Sequence, residues 1–538
     1  MGRGYYRAIA RAIANRQSLW WLLLAGLGFR GLIAYFLPPG FDEAYYFLYT
    51  RHLAWSYFDH PLAVAFSTGL GVWLTGWVSP FTLRLGALTL FTGSLWLLYE
   101  TGRWLFGRRA AWLSGAIASL CPLFLLTFGT LTAPDNALIF CWSGTLYLCA
   151  REFFPYSKET YQPTPTLVMI GLALGCCCLS KYHGFLLALA LVCFCLSSPE
   201  HRLALRSRWL GLGVIWFCLS LFPIVYWNAQ HEWISFQFQL SDRFVQRTAG
   251  YSLSGLLGGL LAQIGFLFPS LALPLWWTSF KQLAKTTYDS ISGQPSRNSD
   301  RQAAKVSFLL WAGLPVAVGF TLLGGWTHTY PAWPAPGLWT LTLLLGRTAA
   351  SWPHNFVRRW LQSTGLLVGI LLIFALTHIT FGTLQKPSQY ALLGGFVTPS
   401  QDPSTALIDV GQLRRQFAQS EAFQSAVNTT DFMVTHEFWL SGYVAMALPA
   451  SIYREVASFT QDPRGSAFWL DSRQWLHQDA VFVSLADFSQ SAVLAAIAPY
   501  FQSITPITEI TTQRGGSITE TFYLYRANNL IEPYPYPY

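Results

Sequence analysis

Stretches of about 18 or more apolar residues, long enough to cross a hydrocarbon core, recur along this chain of 538 residues. Hydrophobic residues make up 53% of the sequence and charged residues 11%, against roughly 25% charged in a soluble domain. The chain therefore reads as an α-helical polytopic membrane protein. Its 24 Trp and 25 Tyr suit aromatic belts at the two membrane surfaces. The net charge of +9 lies mostly in short loops between apolar stretches. Topology accounts for it, and no nucleic-acid partner is expected.

Charge also sets the orientation. Arg3, Arg7, Arg11 and Arg16 precede the first apolar segment (19–37) with no acid among them, which places them in the cytoplasm. That segment is long enough to remain as a span, and no signal-peptide cleavage site precedes it. Residues 62–78 decide the rest. If they crossed, Arg103, Arg108, Arg109 and every later basic loop would face outward. Ser67, Thr68, Gly69, Gly71 and Thr75 also make this segment a poor lipid-facing helix, so it reads as juxtamembrane or re-entrant. About eleven spans then follow from the hydropathy pattern. They fall near 19–37, 82–105, 110–130, 134–151, 166–180, 184–198, 209–227, 254–279, 306–325, 332–346 and 361–382. All nine cysteines lie between Cys121 and Cys218. The consecutive Cys176, Cys177 and Cys178 lack the spacing of metal ligands, so the cysteines read as small apolar residues packed in the bilayer.

Residues 1–384 thus form a membrane domain, and 385–538 differ in kind. Helical patterns at 408–419 and 492–502 alternate with strand-like runs at 431–434, 480–484 and 519–526. A small α/β domain outside the membrane is expected. The tail 533–538 (PYPYPY) is polyproline-like and reads as a loose end.

The polar residues that do not fit a lipid-facing role fall in loops on the outer side. These are Asp42-Glu43, Phe58-Asp59-His60-Pro61, Ala133-Pro134-Asp135, Ser180-Lys181-Tyr182-His183, Trp227-Asn228 with His231-Glu232, and His328-Thr329-Tyr330-Pro331. Adjacent acids suit a general base or a metal site. An ammonium at the membrane surface suits a lipid phosphate. A polytopic transporter or lipid flippase is the alternative, but transporters hold ionisable groups near the midplane and often show internal repeats. Neither a mid-span acid nor a clear repeat stands in this sequence.

These loops resemble the motifs of bacterial polytopic glycosyltransferases with the GT-C fold, relatives of the protein O-mannosyltransferases and the lipid A aminoarabinose transferase. The likeness rests on Asp42-Glu43-Ala44-Tyr45-Tyr46, Tyr57-Phe58-Asp59-His60-Pro61-Leu62, Thr132-Ala133-Pro134-Asp135, Ser180-Lys181-Tyr182-His183 and Trp227-Asn228-Ala229-Gln230-His231-Glu232-Trp233. His436-Glu437-Phe438-Trp439 resembles the exterior domain of some members. The resemblance implies an enzyme of a bacterial inner membrane that transfers one sugar, with inversion, from a polyprenyl phosphate. The acceptor would be a glycolipid, a polysaccharide or a protein. Asp42 matches the family's catalytic acid, Glu43 would orient it, and Asp135 matches the second-loop acid. Lys181, Tyr182 and His183 would hold the donor phosphate, with Arg84 and Arg243 as further cations. His60, Tyr45, Asn228, His231, His328 and Tyr330 complete the candidate lining. Asp59 falls where some relatives carry a metal-binding acid, so it is the candidate ligand for a divalent metal; no other cofactor is implied. Some relatives carry an arginine after the Asp-Glu pair. Here Ala44 and Tyr45 stand there, so any such phosphate contact must come from elsewhere.

Overall fold

The computed structural model describes residues 2–156, 160–241, 250–292, 297–449, 452, 454–485 and 492–538. Six helices begin the fold: α1 (Gly2–Phe36), α2 (Phe41–Arg51), α3 (Ala63–Thr75), α4 (Pro80–Phe106), α5 (Arg108–Leu120) and α6 (Pro134–Phe153). Next come α7 (Thr166–Ser180), α8 (Gly184–Ser197), α9 (Arg208–Ser220), α10 (Phe222–Gln230) and α11 (Ile234–Leu240). The bundle is completed by α12 (Leu253–Leu267), α13 (Pro269–Ser292), α14 (Arg297–Leu323), α15 (Ala335–Ala349) and α16 (His354–Phe381).

Among the described residues, five helical segments are long and apolar enough to cross a membrane: Ser18–Phe36, Pro80–Phe106, Arg208–Gln230, Arg301–Leu323 and His354–Phe381. Two expected spans are interrupted. The stretch 110–130 stops as a helix at Cys121, whose ψ of 116° is extended, because the residue before Pro122 avoids the helical region. The chain resumes as a π-helical turn, Phe124–Phe128. The stretch 254–279 bends by 115° between α12 and α13, with Phe268 at φ +73° immediately before Pro269. Shorter helices are tolerated where protein rather than lipid surrounds them. Helix α15 is buried from Ala335 to Gly346. The Trp142 indole donates to Thr340 Oγ1 (2.8 Å) and the Trp339 indole to Ser143 Oγ (2.9 Å), fastening α15 to α6.

Residues 62–78 contain only the 13-residue α3. At 1.5 Å per residue it reaches about 20 Å, short of a hydrocarbon core of about 30 Å. It lies against α4 at backbone distance: a Cβ on Gly86 would stand 2.0 Å from the Ser67 carbonyl. Small residues permit such approaches between membrane helices.

The C-terminal region contains α17 (Val410–Gln419), α18 (Glu421–Asn428), β1 (Phe432–Thr435), α19 (Phe438–Ala447), β2 (Val456–Ser458), α20 (Ser466–Trp469) and β3 (Ala480–Ser484). It ends with α21 (Ala492–Ile497), β4 (Phe501–Arg514) and β5 (Ser517–Leu530). The strands form one sheet in the order β2-β1-β3-β5-β4. Strand β1 is parallel to β2 and β3, and β5 is antiparallel to β3 and β4. The helix expected over 492–502 stops at Ile497. Pro499 and the β-branched run Ile504, Thr505, Ile507, Thr508, Ile510 and Thr511 favour the strand that replaces it.

Two features differ from the sequence reading. The PYPYPY tail is docked, not loose: Tyr534 stacks on Phe459 (4.6 Å), and Tyr538 lies 4.7 Å from Phe58 and 5.8 Å from Phe468. The C-terminal region also shares a hydrophobic core with the helical bundle. Tyr45, Leu48 and Leu83 cluster with Leu413, Tyr443, Val481 and Phe522. At the centre of that contact, a Cβ on Gly442 of α19 would meet the Ala44 carbonyl of α2 at 2.0 Å.

Candidate active site

Helix α2 begins where the first span ends, and its first turn carries both acids. The two have opposite environments. Asp42 is exposed and faces the positive end of the α2 dipole. Glu43 is 3% exposed and fully engaged. Its Oε1 accepts from Arg84 Nε (2.8 Å) and the Thr132 amide (2.9 Å). Its Oε2 accepts from Arg84 Nη2 (2.5 Å) and the Gly40 amide (2.9 Å). Glutamate at the third helical position commonly reaches back to the N-cap amide in this way. Glu43 thus ties the α1–α2 link, α4 and the loop before α6 to one point.

Arg84, nominated as a phosphate cation, is spent on the same knot. It is 0% exposed, and its Nη1 donates to the carbonyls of Ala34 (3.0 Å) and Leu37 (2.5 Å). Its Nη2 donates further to Pro38 O (3.0 Å). A guanidinium has five N–H donors, and five contacts are made here. Arg84 is a structural residue, not a substrate ligand.

Asp135 opens α6, and Lys181 caps the end of α7. Lys181 Nζ donates to both Asp135 oxygens at 2.9 Å, with both side chains buried. An ammonium carries three N–H bonds, so one is left beyond this pair. The loop before α6 is shaped by Asn136, which the sequence reading passed over. Its Oδ1 accepts from the Ala133 amide (2.7 Å), and its Nδ2 donates to Phe128 O (2.7 Å) and Leu131 O (3.0 Å). An Asn just inside a helix start was the available signal.

Asp59, the candidate metal ligand, is 1% exposed. Its Oδ1 accepts from the Tyr49 hydroxyl and from the Tyr45 hydroxyl (3.3 Å), and its Oδ2 lies 3.5 Å from Arg464 Nη1. The described residues contain no group of three His, Cys, Asp or Glu able to hold a metal ion. This donor set does not fit a divalent cation. Tyr45, expected to line the substrate site, is wholly buried and receives the Gly465 amide on its hydroxyl (3.0 Å). Burial first, and then the Asp59 charge, hold the Tyr45 and Tyr49 hydroxyls well above their usual pKa. Both are proton donors to Asp59 at any physiological pH.

Arg464 reaches this cluster from the C-terminal region. It lies 4.0 Å above the Phe438 ring and pairs with Asp462 (3.4 Å) as well as Asp59. Burial opposes its charge, but Asp59 and Asp462 outweigh it and hold its pKa above the ordinary arginine value. Its sequence separation hid it. The short helix α11 supplies the other missed contacts. Ser235 Oγ donates to the carbonyls of Tyr57 and Phe58 (2.8 Å each), and Gln239 Nε2 donates to Asp59 O (2.6 Å).

The remaining candidates surround these groups. The Tyr182 hydroxyl donates to Ser235 Oγ (3.3 Å). His60 is buried, 5.8 Å from the Tyr46 ring. Asn228 is buried and donates to Ile224 O (2.9 Å). His231 stacks on Trp227 at 4.1 Å, and its Nδ1 lies 2.7 Å from the Trp227 carbonyl. Donation from Nδ1 leaves Nε2 as the acceptor nitrogen of the neutral ring. His183 stacks on Phe320 (4.8 Å), and ring contacts continue through Trp333 and Tyr330 to His328. The candidates from loops 41–43, 57–61, 132–136, 181–183 and 228–239 are therefore interlinked, with His328 and Tyr330 attached through an aromatic path. Arg243 lies outside the described residues.

Residues 59–227 match the family described as dolichyl-phosphate-mannose-protein mannosyltransferase. No curated protein matches the whole chain or any part of it. Among solved structures, the chain is similar to ArnT from Cupriavidus metallidurans in the apo state. The identity is 14% and the TM-score 0.56, over 96% of this chain and 98% of that one. It is also similar to the same protein bound to undecaprenyl phosphate, with 16% identity and a TM-score of 0.57 over 98% and 100%. The likeness to ArnT is one of fold, and it extends through the C-terminal region. The resemblance to GT-C glycosyltransferases of the mannosyltransferase and ArnT type, read from the loop motifs, is thereby met.

Proposed function

We propose that this chain is an inverting glycosyltransferase that moves a single sugar from a polyprenyl-phosphate donor to an acceptor hydroxyl on the extracytoplasmic side of a bacterial inner membrane. The N-terminus would be cytoplasmic and the 385–538 domain extracytoplasmic. The acceptor class is a glycolipid, a polysaccharide or a protein. The observation that carries the reading is the contrast within the Asp42-Glu43 pair. Glu43 is locked by four hydrogen bonds, while Asp42, on the same rigid turn, keeps an exposed carboxylate. A fixed mount under a solvent-exposed carboxylate is what a general base needs.

In this mechanism the acceptor oxygen attacks the anomeric carbon, and Asp42 takes the hydroxyl proton. The bond from that carbon to the phosphate oxygen breaks on the opposite face of the sugar, so the configuration inverts. The polyprenyl phosphate leaves carrying the electron pair. The N–H of Lys181 not used by Asp135 stabilises, in this reading, the charge growing on that phosphate. Asp135 holds the ammonium in place. Tyr182 and His183 flank it. Outside the membrane, a sugar on a lipid is the activated donor at hand. No step passes through a metal.

The test is transfer from a panel of radiolabelled polyprenyl-phosphate sugars to total membrane acceptors, with wild-type protein and Asp42→Asn. Transfer of one sugar that is lost in the variant supports the reading. Equal transfer by the variant removes Asp42 as base. No transfer from any donor by folded protein overturns the assignment.

A further inference from the structure

The end of the bundle opposite Asp42 holds a cavity of about 660 Å³ between α1, α4, α5 and α16. Its charged lining is basic: Arg108 and Arg109 from α5 and Arg358 from α16, with His354, Ser18, Tyr99 and Gln362 as further polar groups. No acid lines it. Arg109 donates to Trp352 O (2.9 Å). Among the described residues, Arg108 and Arg358 make no hydrogen bond or ion pair.

Two further features point the same way. Helices α5 and α16 both begin at this cavity, at Arg108 and His354, and neither has a side-chain cap: their N-cap residues are Gly107 and Pro353. Both therefore turn uncapped amides and the positive ends of their dipoles toward it. Trp112 also lines the cavity, and its indole N–H is buried with no acceptor among the described residues. Three guanidiniums, two helix starts and an orphan N–H form a donor-rich set with no carboxylate to neutralise it. Guanidinium forks suit phosphate oxygens, and helix starts bind anions readily. The rest of the lining, including Leu113, Val357 and Leu361, is apolar. A free phosphate would leave that part unused, whereas an amphiphile fills both.

We propose that this cavity binds the phosphate of an anionic phospholipid from the leaflet opposite the candidate active site, with Arg108, Arg358 and the Trp112 indole as its donors. Basic pockets between membrane helices on the cytoplasmic side are suited to such headgroups. The proposal does not depend on the sugar-transfer reading.

The test is native mass spectrometry of the delipidated full chain titrated with phosphatidylglycerol, phosphatidylcholine or inorganic phosphate. The first phosphatidylglycerol is expected to bind at least tenfold more tightly than phosphatidylcholine, and tenfold more weakly to Arg108→Gln/Arg358→Gln. Trp112→Phe keeps the ring, removes the N–H and weakens binding about threefold, the effect of one neutral hydrogen bond. The lipid-free melting temperature of the double variant should equal or exceed that of wild type, because repulsion is relieved. If that variant does not fold, Arg358→Gln alone is read against the same criterion. Equal affinity for the two lipids, or full affinity in the folded variants, overturns the proposal. Inorganic phosphate that displaces phosphatidylglycerol at equal concentration overturns the lipid assignment in favour of a soluble phosphate.

Discussion

Glu43→Gln separates folding from chemistry at the acidic pair. The substitution preserves shape and removes one negative charge. It leaves Arg84 buried at 0% exposure with a neutral partner. Of the two Arg84 bonds, at 2.8 and 2.5 Å, only one keeps an oxygen acceptor. In either flip the new NH₂ faces one guanidinium N–H and one backbone amide, that of Thr132 or of Gly40, which are themselves donors. Breaking a buried pair by removing one partner typically destabilises by about 3–5 kcal/mol, a large share of a total that is commonly about 5–15 kcal/mol. Asp42→Asn should change stability by less than about 0.5 kcal/mol, as exposed substitutions do, while lowering turnover by about 10²–10⁴-fold. The assay is thermal unfolding of both variants in one detergent, paired with sugar transfer at a temperature where both are folded. A Glu43→Gln protein as stable as wild type would refute the knot. An Asp42→Asn protein as unstable as Glu43→Gln would refute the division of labour.

Gly442→Ala should destabilise by about 1–3 kcal/mol or more, because the new methyl meets the Ala44 backbone at 2.0 Å; an unchanged melting temperature would show that α19 yields freely. Arg464→Gln should speed amide exchange across 57–61 and 464–469 while leaving α4 and α6 unchanged, as read by hydrogen–deuterium exchange; unaltered exchange at 57–61 would mean that Arg464 does not steady the loop. Asp402 anchors α16 to the exterior sheet, 3.1 Å from His378 and 3.7 Å from Arg514. Burial pushes its pKa up, but the Ser404 hydroxyl and amide, His378 and Gln385 outweigh this and leave it below the ordinary 3.8. A depressed carboxylate contributes fully above its unfolded pKa and loses that contribution as pH falls through the folded one. Stability should therefore drop below about pH 3.8 less steeply in Asp402→Asn than in wild type; parallel acid profiles would count against this anchor.

The membrane part was legible because apolar length is a local property. Breaks were harder to see, although Pro122 and Pro269 marked both of them. Leu62–Val78 was read as non-spanning because its small polar residues and the later arginines agreed, and its helix is only 13 residues long. At the site, local motifs named Asp42, Glu43, Asp135 and Lys181, but not how the charges pair. Arg84 was expected to meet phosphate and instead meets Glu43, 41 positions away. No local pattern encodes that choice, since it depends on how α2 seats against α4. Arg464 was less legible still. It sits at φ +45° in a turn of the C-terminal region, and only the packing of α19 on α2 brings it to Asp59. Ser235 and Gln239, four apart on one helix face, carried a readable signal that was not used.

The packing of α19 on α2 bears on when activity can begin during synthesis. Helix α2 is made within the first tenth of translation, yet its Tyr45 hydroxyl waits for the Gly465 amide, and Asp59 waits for Arg464. Those partners must be translated before the acidic loops are held. A nascent chain whose helical bundle is already complete would therefore still lack the assembled cluster. In this arrangement the last quarter of the chain acts as the closing piece of the acidic cluster, and synthesis order sets when that cluster can form.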